Sequence, residues 1–356
     1  MSDVFKALLK KVGSGTHTSQ SLTREEAATA TQLMLTQAAT PAQIGAFMIA
    51  HRIRRPTPTE LAGMLDAYDD LGPALMPIEA AYPPTVFCAP YDGRSRTAPI
   101  SPLTALILIA ANAPVVLHGS DRMPTKYGLS LIEIWQALDL PLHQLTLAQS
   151  QRLFEQTGFG FVYQPTHFPL AQALVPYRDQ IGKRPTLATV ELMWSPYHGE
   201  HHLVTGFVHP PTEERAQIAY EMRQQPFYTM VKGLEGSCDL PRSRTAILGL
   251  GNPGQDELAR LLLHPRDYDL DGEDIPLLPL PQLIAEIKAV LAGKTTDLYD
   301  SARWNGGFYL WRCGVVSSVE AGLATAEKLL HSGAVGRSFE GLRQAIADLA
   351  LVSHPN

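Results

Sequence analysis

Residues 40–63 read TPAQIGAFMIAHRIRRPTPTELAG, a run in which the pair Thr40-Pro41 recurs as Thr57-Pro58. Each pair reads as a helix start, because proline is tolerated in a first turn where its missing N–H has no partner to lose. Upstream, Leu22-Thr23-Arg24-Glu25-Glu26 supplies another start, with Thr23 as N-cap and Glu26 at the capping-box position. Apolar residues recur at helical spacing from Phe5 to about Asp70, so the N-terminal part reads as a small all-α unit. A proline-rich stretch, residues 71–84, then reads as a linker. Beyond it, Thr85-Val86-Phe87 and Val115-Val116-Leu117 read as short buried strands, each followed by a loop and a helical pattern. That alternation predicts βαβ units and an α/β class with a central, mostly parallel sheet. Further strands are expected at 203–208 and 245–248, and amphipathic helices at 283–291 and 318–330. No repeat of fixed period or low-complexity tract interrupts the pattern.

The chain has 356 residues, 45% of them hydrophobic, enough for a sizeable core. The apolar run at 103–117 contains Asn112 and Pro114 and reads as a core helix leading into a strand. With no other candidate span and no signal-like start, a cytoplasmic protein is expected. Cys88, Cys238 and Cys313 are odd in number and widely spaced, which argues against a disulfide framework or paired zinc ligands. A formal net charge of −6 gives no general attraction to nucleic acid, so any such binding needs a local basic patch.

The run from Thr40 through Arg52-Ile53-Arg54 to Gly63 resembles the N-terminal helices of anthranilate phosphoribosyltransferases and pyrimidine nucleoside phosphorylases. His118-Gly119 with Lys126-Tyr127-Gly128 is similar to the family's K-H-G-N…K-x-G segment. Val175-Pro176-Tyr177-Arg178 with Ile181-Gly182-Lys183-Arg184 resembles V-R-x-x-L-G-x-R. Asn305, Ser318-Val319-Glu320-Ala321-Gly322 and Ser332-Gly333-Ala334 resemble the C-terminal motifs. The resemblance implies a nucleoside phosphorylase/phosphoribosyltransferase-like architecture. In it, a helical domain (1–77, joined by helices from about 147–183) lies beside an α/β domain (79–356), with a cleft between them and a homodimer formed through the helical parts.

The site motifs depart from that family. Where it carries G-T-G-G-D-G, whose bare backbone cradles phosphoribosyl pyrophosphate, this chain has Cys88-Ala89-Pro90-Tyr91-Asp92-Gly93. Pro90 has no N–H to donate, and Tyr91 places a ring where the backbone should be open. The family's N-I-S-T contacts are matched by Pro99-Ile100-Ser101-Pro102, and the intervening loop gains Arg94 and Arg96. The site is therefore expected to take phosphate through Asp92, Gly93, Ser101 and arginine forks. A cleft of His118, Gly119, Ser120, Lys126 and Arg178 is implied. Ser120 replaces the family's Asn, and Arg178 falls on the arginine that holds the anthranilate carboxylate; its alternative is a structural ion pair between the domains. Magnesium, if used, would need the family's D-E pair, present here as Cys238-Asp239, and a thiol is a poor ligand for that ion. Glu235 is the substitute ligand, or simply a solvated glutamate.

Lys232-Gly233-Leu234-Glu235-Gly236, the replaced loop and Thr205-Gly206-Phe207-Val208-His209-Pro210 together are similar to a divergent subgroup that lacks anthranilate transfer and binds nucleic acid. Three readings stand: an altered glycosyl- or phosphoribosyltransferase using a different acceptor, a non-catalytic protein whose old cleft binds nucleic acid or another anion, and the tryptophan-biosynthetic enzyme; a phosphorylated small molecule or single-stranded nucleic acid is the expected partner. Nucleic-acid contacts are expected at Arg94, Arg96, Arg122, Lys126, Arg242 and Arg244 with Tyr91 and Tyr127 for stacking. His198, His201 and His202 lie in an expected surface turn, and Glu213-Glu214-Arg215 in a solvated first helical turn. Cys88 and Cys238 read as buried structural thiols.

Overall fold

The computed structural model describes residues 3–15, 17–255 and 257–352. Helices α1 (Asp3–Gly13), α2 (Arg24–Leu35), α3 (Pro41–Arg54) and α4 (Pro58–Leu71) form the N-terminal unit. Thr23, Thr40 and Thr57 each accept a hydrogen bond from the backbone N–H three residues on, and Glu26, Gln43 and Glu60 reach back to the cap. These reciprocal pairs satisfy donors that a helix start would otherwise leave orphaned. Residues 71–84 are more than a tether, because Leu75 is buried and pairs with the backbone of Pro196 and His198.

Among the described residues seven strands form one sheet in the order β3-β2-β1-β4-β5-β6-β7. They are β1 (Thr85–Cys88), β2 (Val115–Gly119), β3 (Phe159–Tyr163), β4 (His202–Gly206), β5 (Tyr228–Val231), β6 (Ala246–Gly251) and β7 (Ala259–Leu263). Pairings among β1 to β5 are parallel, whereas β5–β6 and β6–β7 are antiparallel. In register, Phe87 faces Leu117 on one side and Val204 on the other. The expected strand at 203–208 stops at Gly206, and Val208 is left exposed.

Alternation along the strands divides the apolar residues between two cores. Phe87, Leu117 and Val204 pack with α5 (Ser101–Ala110), α6 (Leu131–Ala137), α13 (Leu280–Leu291), α14 (Asp297–Arg312), α15 (Val319–His331) and α16 (Ala334–Val352). Val86, Cys88, Val116 and Leu203 point the other way and share a core with Leu61, Leu65 and Tyr68 of α4. The helical unit is thus built onto one face of the sheet. Between β2 and β4 run α7 (Leu147–Thr157), α8 (Gln164–His167), α9 (Pro169–Gln172), α10 (Val175–Ile181) and α11 (Leu187–Val190), and α12 (Pro210–Met222) follows β4. The 147–183 stretch is divided: α7 lies against β3 and α16, and α10 against α3. No helix among the described residues is long and apolar enough to cross a membrane.

Candidate functional site

The chain leaves β1 toward β2 on one side, and β4 pairs with β1 on the other, so strand order reverses at β1. In open parallel sheets such a reversal opens a crevice beyond the strand C-termini. Here the loops after β1, β2, β4 and β5 meet in that crevice.

The loop after β1 is laced to the loop after β2. Gly128 N–H donates to Asp92 O at 2.9 Å, Arg94 N–H to Leu129 O at 3.0 Å, and Leu129 N–H to Arg94 O at 2.7 Å. Lys126 Nζ donates to Gly93 O at 2.8 Å. Gly93 has φ +77°, and a Cβ there would lie 2.4 Å from Gly128 O, so glycine is required by this contact. Pro90 and Tyr91 are buried, and Tyr91 Oη sits 2.5 Å from His118 Nδ1. His118 is stacked edge-on between Tyr91 and Trp194, and burial pushes its pKa down to about 3. His118, Gly119 and Ser120, expected to line an open cleft, are interior instead; Ser120 Oγ donates to Gln172 Oε1 at 3.2 Å. Tyr91 is likewise buried and offers no stacking platform.

Arg94 also departs from expectation. Its side chain is 4% exposed and turns inward, away from any external phosphate. Nη1 donates to Asp239 Oδ2 at 2.6 Å and to Ser237 Oγ at 2.8 Å, Nε to Glu235 Oε1 at 3.4 Å, and Nη2 to Thr97 Oγ1. Asp239 Oδ2 accepts a further bond from Ile100 N–H at 3.0 Å, just before Ser101 opens α5. The Cys238 thiol donates to Cys88 O and Val204 O, and burial raises it well above its ordinary range.

Glu235 is not solvated, for its side chain is 2% exposed. Oε1 accepts from Arg96 N–H and Thr97 N–H, each at 2.9 Å, and from Thr97 Oγ1 at 3.1 Å. Oε2 accepts from Ser95 N–H and Ser95 Oγ, both at 3.1 Å, and faces Lys126 Nζ at 2.7 Å. Burial alone would raise this carboxyl, but the bonds from Lys126 and from the Arg96, Thr97 and Ser95 N–H groups outweigh it and hold it far below the usual range. Glu235 takes the left-handed conformation, φ 55°, followed by Gly236 at φ 77°. The backbone bends sharply to deliver the carboxylate.

A magnesium ion held by Glu235 and Asp239 does not fit this arrangement. Both Glu235 oxygens and Asp239 Oδ2 face N–H groups, hydroxyls, an ammonium and the Arg94 guanidinium, all of them donors. Among the described residues no group of three or more His, Cys, Asp or Glu could hold a metal. Of the histidine trio only His198 is exposed. His202 lies inside β4, bonded to Thr229 Oγ1 and stacked on Phe227, because the strand begins earlier than its polar sequence suggests. Glu213 is likewise buried and bonded to Arg260.

Arg178 is buried and paired with Glu191, just beyond α11, so the ion pair joins α10 to the segment after α11 and no external carboxylate. Burial works against the guanidinium's charge, but Glu191 outweighs it and holds Arg178 above its ordinary value. Glu191, Ser95, Thr97 and Ser237 escaped sequence reasoning. Only the Ser95-Arg96-Thr97 alternation of hydroxyls offered a signal.

The remaining cations divide by accessibility. Arg96 is 79% exposed, Arg122 is half exposed and paired with Glu133, and Lys126 is largely covered. Arg242 is mostly buried against Asp300, while Arg244 lies near Asp274. Ser95, Arg122, Lys126 and the exposed Tyr127 line one cavity of about 320 Å³, floored by residues 277–280. Another, of about 420 Å³, lies where Arg52 and Pro56 of the helical unit meet Arg184, Phe207, His209 and Gly236.

A helical bundle set on one face of a mostly parallel sheet, with loops converging at its strand-order reversal, is the architecture of a two-part glycosyl-transferring protein. Residues 6–72 match the helical bundle domain and residues 92–335 the a/b domain of the Glycosyl transferase family, and the chain belongs to this family. It is similar to the anthranilate phosphoribosyltransferase of Rhodopseudomonas palustris (strain BisA53), 26% identical over 339 residues that span 93% of this chain and 94% of that one. The Afipia carboxidovorans enzyme of the same name is 27% identical over 94% of this chain and 96% of its own. Among solved structures, anthranilate phosphoribosyltransferase from Saccharomyces cerevisiae in complex with PRPP and Mg aligns with TM-score 0.81 at 15% identity, over 97% of this chain and 98% of that one. The Thermus thermophilus enzyme aligns with TM-score 0.76 at 19% identity, over 97% and 100%. At those identities the structural likeness speaks for the fold.

Proposed function

We propose that this chain is a family member that does not carry out magnesium-dependent phosphoribosyl transfer to anthranilate, and that it binds the phosphates of single-stranded nucleic acid at the mouth of the cleft, as the subgroup resemblance implies. The observation that carries the first part is the Arg94 guanidinium standing between Asp239 and Glu235. A cation of the protein's own neutralises the carboxylates that a metal would have to share. Support for the second part comes from Arg122, Lys126 and Tyr127 around one opening and from the exposed Arg96 one residue beyond its lining residue Ser95, where cations supply phosphate contacts and an aromatic ring supplies stacking.

Oligonucleotide titration across a salt series tests it. The expected result is binding that weakens steeply with salt, with the slope reduced by about one in each of Arg96→Ala and Arg122→Ala, because each removes one cation from the phosphate backbone. Binding indifferent to salt and to both changes contradicts it. An altered transferase is the second reading, favoured by the open cavity between the helical unit and His209. Rescue of a tryptophan auxotroph would restore the biosynthetic reading that the relatives' names suggest. We also propose a homodimer formed through the helical unit, on the strength of the family resemblance. Sedimentation equilibrium returning a monomer at micromolar concentration contradicts it.

A further inference from the structure

The contacts around Glu235 describe a receptor with its own side chain inside it. Three successive backbone N–H groups, those of Ser95, Arg96 and Thr97, converge on one carboxylate together with two hydroxyls and the Lys126 ammonium. Successive N–H groups turned to one point form a concavity suited to an anion. This one lies in the loop that carries Arg94 and Arg96, outside the segment 88–93. A carboxylate presents two oxygens and one negative charge, which is also what the non-bridging oxygens of a phosphodiester present.

We propose that the Ser95–Arg96–Thr97 backbone with Lys126 is a phosphate-binding site, and that Glu235 is a tethered stand-in that must withdraw before a ligand phosphate enters. The delivering segment is suited to withdrawal. It is short, bent through two consecutive left-handed residues, and Glu235 is one of them although it is not glycine, a conformation that contact with the nest offsets. Arg94 touches the same carboxylate through Nε and Asp239 through Nη1, so it keeps a partner when Glu235 leaves. A tethered anion competes at a high effective concentration, which masks the site from weak free ligands. This inference rests on reading the cleft mouth as a phosphate-binding surface.

The test is calorimetric titration of the full chain and of Glu235→Ala with inorganic pyrophosphate and, separately, with a short oligothymidylate lacking terminal phosphates. Glu235→Ala is expected to bind at least one probe roughly tenfold tighter or more than the unaltered chain. The gain should vanish when Lys126→Ala is added. A gain for pyrophosphate alone assigns the site to small phosphorylated compounds, and a gain for the oligonucleotide assigns it to nucleic-acid backbone. A folded Glu235→Ala that gains affinity for neither probe overturns the plug, as does a gain that survives Lys126→Ala. If Glu235→Ala does not fold, Glu235→Gln keeps the volume, removes the charge, and submits to the same titrations. Salt-dependent oligonucleotide binding by the unaltered chain is read independently. Its presence without a gain in the variant defeats the plug and spares the proposed function, and its absence with a gain for pyrophosphate does the reverse.

Discussion

A guanidinium taken out of water must find partners for its charge and its N–H groups, and Arg94 does so with Asp239, Glu235, Ser237 and Thr97. Arg94→Ala leaves a buried Asp239 facing no cation, and is expected to cost about 3–5 kcal/mol in denaturant unfolding. A loss below about 1 kcal/mol, the ordinary value of a surface pair, contradicts that account. His118 gives a second prediction. Its folded pKa is depressed to about 3, so above its unfolded value, about 6.5, both states are neutral and the full stability is present. As pH falls below that, only the unfolded state takes up the proton, and stability drops by up to about 1.4 kcal/mol per pH unit. His202, also depressed by burial, adds a similar slope. Urea unfolding between pH 7 and pH 5 should show this slope, and His118→Phe should reduce it by about one proton; an unchanged slope counts against a neutral buried imidazole. Arg94 was legible as an addition to a phosphate loop, but its partners were not. Glu235 lies 141 residues further on, and no local pattern reveals that two side chains so separated meet.

Elements whose signals are local were the most readable. Thr23, Thr40 and Thr57 each sit three residues before a Glu or Gln, and each closes the capping box expected of that spacing. Thr40→Ala should therefore cost about 1 kcal/mol in thermal or denaturant unfolding, and Thr40→Gly only a few tenths. Equal losses for both changes would mean that the hydroxyl bond is not what matters. The strands β1 and β2 were equally clear, since a strand buried on both faces reads as a continuous apolar run. By contrast β3, β5 and β7 were not named from sequence. β7 is mostly exposed, and β3 contains Gly160 against Leu75 of the supposed linker. Only for β7 does strand character come from its neighbour in the sheet; β3 and β5 are buried throughout and rich in aromatic and β-branched residues, a signal that could have named them.

At the scale of the whole molecule, the helical unit is fastened to the sheet by packing and by charge. Tyr68 of α4 packs edge-on against Phe168 and Trp194, while Arg223 at the end of α12 bonds to Asp66 and Asp69. Arg24 adds a bond to Asp66 and another to Met222 O. Family and fold were legible because motifs spread along nearly the whole chain agree with one architecture. The site was legible only as a set of departures, because what fills the space left by lost glycines is decided by distant side chains. Glu191 places an internal carboxylate on Arg178, which was expected to hold a ligand's, and Arg94 places an internal cation between Asp239 and Glu235, where a metal would have to sit. That double occupation is the physical core of the case against the biosynthetic reaction. Calorimetry of the purified chain with phosphoribosyl pyrophosphate, with and without magnesium and repeated on Asp239→Ala, tests it most directly. No magnesium-dependent heat is expected at millimolar ligand for either protein. Magnesium-dependent binding that Asp239→Ala weakens would contradict it.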